Sequence, residues 1–209
     1  IRSLLPPANC ALIVIARERL PISELKEVHV HCLSIDSATS LLLKLAPRTA
    51  RHAAEIAELC GGLPLALVVF AGMVNEQSLT SVEELLVAFK RDLNIGAVRS
   101  AFKTSFKMLT RSLRSRWTLL ALFKGDFQLS AAAAAWQLDE ETARICLQKL
   151  INTNLVQFDA KRERFSLHDL VRQFCEQHQD GTAARIARLH LAWFYVNISQ
   201  FAGALVSKG

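Results

Sequence analysis

Over most of the chain, apolar residues recur every three or four positions, the signature of amphipathic helices. Two stretches near the start depart from it. Ala11–Ala16 is a continuous apolar run between Pro7-Ala8-Asn9 and Arg17-Glu18-Arg19. It reads as a strand buried on both faces, as in a parallel sheet. Val28-His29-Val30-His31-Cys32 alternates and reads as a short strand leading into the next region. His29 and His31 would share one face of it, but a tetrahedral zinc needs more ligands, and no C-x-x-C or H-x-x-x-H partner occurs. No metal site is assigned.

Helices dominate from there. Asp36 is a candidate N-cap for a helix over Ser37–Ala46, stopped by Pro47. A second, from about Thr49 to Leu59, sets Ala53, Ile56, Ala57 and Cys60 on one face. The paired Gly61-Gly62 can take the left-handed conformation that closes it. Pro64 then sits in the first turn of the next helix, where its missing N–H costs nothing. That helix, Leu65–Val74, is apolar almost all round and should be buried. Ser81-Val82-Glu83-Glu84 has the capping-box pattern and starts a fourth helix, with Leu85, Leu86 and Phe89 facing inward. These four predict a compact bundle.

From Arg99 to about Phe123 a long amphipathic segment spaces Phe102, Phe106, Leu109, Leu113, Trp117 and Leu120 by threes and fours, until Gly125-Asp126 breaks it. Helices over Ser130–Trp136 and from Glu140 to about Ile151 flank a turn at Gln137-Leu138-Asp139. Leu155–Phe158 and Arg164–Leu167 are strand candidates joined by the charged turn Asp159–Glu163. Three helices and a hairpin make the winged-helix pattern. Thr182–Ala204 is one long helix whose Ile186, Leu189, Trp193, Phe194 and Val196 exceed what a lone helix needs, so it should dock or begin another domain.

Composition narrows the function classes. Hydrophobic residues are 51% of the 209, enough for real cores. The longest apolar run, Leu63–Val74, is shorter than the roughly 20 residues that span a bilayer, and no signal peptide is read. The odd, scattered set of five cysteines reads as reduced core thiols, which points to a cytoplasmic protein. The net charge of +6 permits an acidic partner. A winged helix raises the prospect of DNA, yet Asp139-Glu140-Glu141 at the start of the would-be recognition helix would repel phosphates. Arg111, Arg114, Arg116, Lys161, Arg162 and Arg164 read more simply as solvated faces. No G-x-x-x-x-G-K-[ST] loop occurs and no apolar run ends in paired acids, so the chain as it stands should not hydrolyse ATP, and no catalytic residue is assigned. Beginning without methionine and with a lone parallel-type strand, it reads as a portion of something larger.

By local physics the run around Gly62-Leu63-Pro64-Leu65 can be a plain helix–helix corner, and His168 an ordinary buried histidine. Three short motifs in order carry a resemblance. Gly62–Leu65 resembles the GLPL motif of the NB-ARC family of nucleotide-binding signalling ATPases. The strand ending in Ala16-Arg17 looks like that family's sensor segment, with Ile15 and Ala16 in place of its two hydroxyl residues. Leu167-His168-Asp169 looks like its MHD motif with leucine for methionine.

The resemblance implies a mainly α chain in four parts. Residues 1–35 would be the end of a parallel α/β nucleotide-binding domain, and 36–93 a four-helix ARC1-like domain. Residues 94–180 would be a winged-helix domain, and 181–209 the start of a helical, repeat-type region. It implies an adenine-nucleotide site from Arg17 (γ-phosphate), Gly62, Leu63, Pro64 (adenine) and Leu65, and His168 (β-phosphate), with Asp169 fixing the domain arrangement. ADP would hold the domains closed, and exchange for ATP would open them to self-association or to signalling partners. Magnesium is expected only with the missing phosphate loop. A winged-helix DNA-binding regulator and a helical scaffold without nucleotide control are the competing readings.

Overall fold

The computed structural model describes residue 10, residues 12–15, residue 26 and residues 28–206. It divides into two units, Ile1–His31 and Cys32–Gly209.

In the first unit neither expected strand forms among the described residues. Residues 12–15 and 28–31 have no regular structure, and Ile13, Ile15, Val28 and Val30 are exposed. A strand exists by pairing with neighbours; Ala11 and Ala16, the ends of the first expected strand, lie outside the described residues. The expected remnant of a parallel sheet is not seen among the described residues. The sheet among the described residues is a single antiparallel pair elsewhere. The rings of His29 and His31 stack with centroids 6.3 Å apart. Among the described residues no three metal-ligating side chains cluster. Arg17 lies outside the described residues.

The second unit is mainly helical. It begins with α1 (Ile35–Leu45), capped by Ser34, whose Oγ accepts from the Ser37 N–H at 3.3 Å. The cap is thus Ser34 rather than Asp36, which sits in the first turn, where a carboxylate suits the helix dipole. A 3-10 turn (Pro47–Thr49) precedes α2 (Ala53–Leu59), so that helix starts one turn later than the pattern indicates. Next come α3 (Pro64–Glu76) and α4 (Val82–Lys90). The Ser81 Oγ accepts from the Glu84 N–H at 3.1 Å, the N-cap half of the capping box, and Leu85, Leu86 and Phe89 are buried. The apolar helix α3 is the hub, packing on α1, α4 and the later helices Ala97–Met108 and Glu140–Asn152, with Phe70 edge-on to Phe89 at 5.3 Å.

The long amphipathic segment is two helices, α5 (Ala97–Met108) and α6 (Arg111–Leu119). Leu109 is extended, and the Thr110 hydroxyl restarts the chain by accepting from the Leu113 N–H at 3.3 Å. Apolar spacing runs through this break because both helices face one core, so periodicity alone could not see it. Phe102, Phe106 and Trp117 meet Phe174 there, with centroids 5.6–5.9 Å apart. Asp92 ties the segment to the end of α4. Its carboxylate, 9% exposed, bonds Lys103 at 2.7 Å and Lys107 at 2.8 Å.

These two lysines, Lys103 first, hold the Asp92 carboxyl below its ordinary value near 3.8 despite some desolvation. A depressed carboxyl adds stability that is fully present above its unfolded-state pKa and is lost as pH falls through the folded value. Asp92→Asn should therefore cost about 2 kcal/mol at pH 7. The difference from wild type should shrink below about pH 4, as read from urea midpoints across pH.

Then follow α7 (Leu129–Trp136), α8 (Glu140–Asn152), β1 (Gln157–Asp159) and β2 (Arg164–Ser166), the two strands antiparallel with Phe158 opposite Phe165. Leu155 and Val156 do not begin the strand. Their N–H groups bond the Leu150 carbonyl at 2.9 and 3.2 Å, closing α8, and both side chains are buried. Phe127 adds a bridge, exchanging two 2.8 Å backbone bonds with Phe165. The unit ends with α9 (Asp169–His178) and α10 (Gly181–Val206).

On α10 the buried positions among the described side chains are Ala184, Ala187 and Leu191, set against α6 and the alanine-rich α7. Ile186, Leu189, Trp193 and Val196 are exposed. Small residues on both helices allow a close approach, so the larger ones stay outside. Among the described residues no helix is long and apolar enough to cross a membrane.

Candidate functional site

The Gly62–Leu65 run is built as the sequence dictates. Gly61 and Gly62 both have φ near +60°, closing α2. Their N–H groups return to the carbonyls of Glu58 (2.8 Å) and Ala57 (3.1 Å). Pro64 is the first residue of α3, after the extended Leu63. Gly62 is buried, Leu65 half-buried, and Leu63 and Pro64 are exposed, so the mouth of α3 offers a small rigid apolar surface. The neighbouring Cys60 thiol is pushed up to about 12 by burial, which makes it a packing group rather than a nucleophile.

A residue outside the motif fixes this corner. The Leu33 N–H donates to the Gly62 carbonyl at 2.9 Å, and a Cβ on Gly62 would lie 2.2 Å from the Leu33 carbonyl oxygen. Backbone contacts of this kind leave no trace in residue type, so no sequence signal pointed to Leu33.

His168 is not a buried histidine. It is exposed and is the N-cap of α9, its Nδ1 accepting from the Leu170 N–H at 3.2 Å. An accepting Nδ1 places the neutral ring's proton on Nε2. Nε2–H is therefore a donor held beside the positive end of a ten-residue helix. Leu167 anchors the loop by burial, and Asp169 lies exposed in the first turn. Three cavities of this unit lie between α3, α5, α6 and α8, between α5 and α9, and between α6, α7 and α10. Neither Pro64 nor His168 lines any of the three.

The α8 end expected to face DNA is acidic and closed. Asp139 accepts from the Thr142 N–H at 2.8 Å and its hydroxyl at 2.7 Å, and those bonds hold its carboxyl below the usual range. Glu140 and Glu141 are exposed beside it. Several arginines of the second module are engaged. Arg114 donates to the carbonyls of Leu109 (2.8 Å) and Lys107, Arg116 to the Cys146 sulfur (3.3 Å), and Arg164 to Asp126 (3.0 Å).

Comparison with known proteins finds relatives at low identity. No family model matches the chain. It is 30% identical to the regulatory protein AfsR of Streptomyces griseus over all of its length and 24% of that protein's. It is 30% identical to AfsR of Streptomyces coelicolor over 87% of its length and 20% of that protein's. It is 29% identical to the disease resistance RPP13-like protein 2 of Arabidopsis thaliana over 72% of its length and 21% of that protein's. The chain thus spans about a quarter or less of the curated relatives it matches.

Proposed function

We propose that the chain is a segment of an NB-ARC-type regulator and forms part of an adenine-nucleotide clamp that switches a signalling protein. Similarity to two bacterial regulators and to a plant disease resistance protein supports a signalling or regulatory role. The observation that carries the nucleotide reading is His168, whose Nε2–H stands free at the start of α9 while Nδ1 caps the helix.

In this reading the helices from α1 to α4 form an ARC1-like bundle, and residues 94–180, α5 through α9 with the Phe127–Phe165 bridge, form the winged-helix domain. The Pro64 ring lies on adenine at the mouth of α3, flanked by Gly62, Leu63 and Leu65. Nε2–H of His168 donates to the β-phosphate, Asp169 steadies the start of α9, and Arg17 reaches the γ-phosphate of ATP. A ligand that touches both modules biases their relative position only by its differential affinity for the two arrangements. ADP would favour the closed one. ATP would favour the open one, which exposes surfaces for self-association or signalling partners. Magnesium would enter with a phosphate loop outside this chain.

Calorimetry of ADP binding to the longer protein that includes that loop tests the reading. Loss of one hydrogen bond to a charged phosphate should weaken ADP by about tenfold or more for His168→Ala. Pro64→Ala should weaken it comparably by removing the rigid adenine platform. Equal affinity in all three proteins would reject these residues as the clamp. The DNA-binding alternative has less support, because Arg114, Arg116 and Arg164 are already bonded and the α8 start is acidic.

A further inference from the structure

A cavity of about 150 Å³ opens between the C-terminal part of α3 and helices α5, α6 and α8. It lies about three helical turns along α3 from Pro64, and nothing in the nucleotide reading uses it. Its apolar lining is Met73, Met108, Leu109 and Leu113. Thioether chains adapt to the shape of what they contact, and a cavity of this size holds a body of about six carbons.

Its polar lining is unusual in what it leaves unused. Ser105 lines the cavity, is 1% exposed, and its Oγ has no hydrogen-bond partner. A serine inside a helix ordinarily bonds the carbonyl one turn back. The two threonine hydroxyls of the lining are committed. Thr110 caps α6, and Thr153 donates to the carbonyls of Lys149 and Leu150 at 3.1 Å. Among the described residues, the rim charges Glu76 and Lys149 form no ion pair. Glu76 receives only a long 3.4 Å bond from Asn152. Glu76, Lys149 and Gln77 thus rim an apolar space that has an unpartnered hydroxyl buried in its wall.

We propose that this cavity is a binding site for a small zwitterion with an apolar side chain, a free aliphatic α-amino acid. Its side chain fills the space among the two methionines and two leucines. Its ammonium faces Glu76 and its carboxylate Lys149 at the rim, and the interior contacts are apolar. A simple carboxylate would meet Glu76 unfavourably and a simple amine would meet Lys149, so the lining selects for both charges on one molecule. Because α3 lies on one wall and α5, α6 and α8 on the others, occupancy would stiffen the joint between them.

The chain contains only two methionines, and both line this cavity, so methyl-labelled methionine is a direct reporter. Titration with L-leucine should shift both methyl signals saturably, with Kd near 1 mM or tighter. The exposed-residue changes Glu76→Gln and Lys149→Gln should leave the ligand-free spectrum intact and each weaken leucine about tenfold. Isovalerate and isopentylamine, each carrying one of the two charges, should bind about tenfold more weakly than leucine. Absence of a saturable shift at about 10 mM leucine overturns the proposal. So does equal binding of all three probes, which would mark a merely apolar cavity, and so does unchanged affinity in both rim variants. The titration needs no nucleotide, so its failure leaves the nucleotide reading untouched.

Discussion

Gly62→Ala should destabilise the Cys32–Gly209 unit by about 3 kcal/mol or more, while Gly61→Ala should cost only about 1 kcal/mol. The two glycines share a left-handed backbone with φ near +60°, so the conformational penalty for an added Cβ is the same at both. Their surroundings differ. A Cβ at Gly61 meets nothing within 4 Å, whereas at Gly62 it would lie 2.2 Å from the Leu33 carbonyl oxygen. That neighbour is backbone and cannot rotate away. To relieve the overlap the chain must break the Leu33-to-Gly62 bond and lift the segment that leads into α1. Urea unfolding of the two variants reads the difference. Similar midpoints would mean that the Leu33 segment yields at no cost and does not fix the corner beside Pro64.

Trp117→Ala is expected to cost about 4 kcal/mol, the largest loss available from one side chain in the second half of the molecule. The indole is fully buried and touches Phe106 and Phe174, with centroids at 6.0 and 5.6 Å. The ring, and not its N–H, is responsible. Nε1 of Trp117 is buried without a partner, and an orphaned donor costs about 1–3 kcal/mol. Trp117→Phe should therefore lose less than half as much as the alanine change, because it removes that penalty along with the volume. Trp136 supplies the contrast. Its Nε1 donates to the Arg116 carbonyl at 2.8 Å, so Trp136→Phe forfeits a made bond and strands an acceptor. Thermal unfolding should rank Trp117→Phe as the milder of the two. The opposite order would mean that Trp117 has a partner, such as a buried water.

Much of the helical order was legible in the sequence, and the reasons are local. Gly61-Gly62 followed by Pro64 fixes a stop and a start whatever surrounds them. Ser81 caps α4, and the all-apolar α3 had to be central. The misses share a cause. Whether Ser34 or Asp36 caps α1 depends on which backbone turns first, and both residue types suit the role. The break at Leu109-Thr110 was hidden because α5 and α6 face the same core. The strand expected at Ala11–Ala16 falls partly outside the described residues, and strand propensity expresses itself only through pairing.

The candidate site divides the same way. The sequence by itself determined that residues 61–65 form a rigid corner and that Leu167-His168-Asp169 precedes a helix, because glycine, proline and capping chemistry act within a few residues. Only the tertiary structure decided that Leu33 closes on Gly62 and that His168 is exposed with Nδ1 engaged and Nε2 free. It also decided that Ser105 lines a cavity with no partner, and that α10 buries Ala184, Ala187 and Leu191 while showing Ile186, Leu189, Trp193 and Val196. These outcomes depend on how closely backbones far apart in sequence approach one another. Residue type constrains that distance only loosely, and packing sets it.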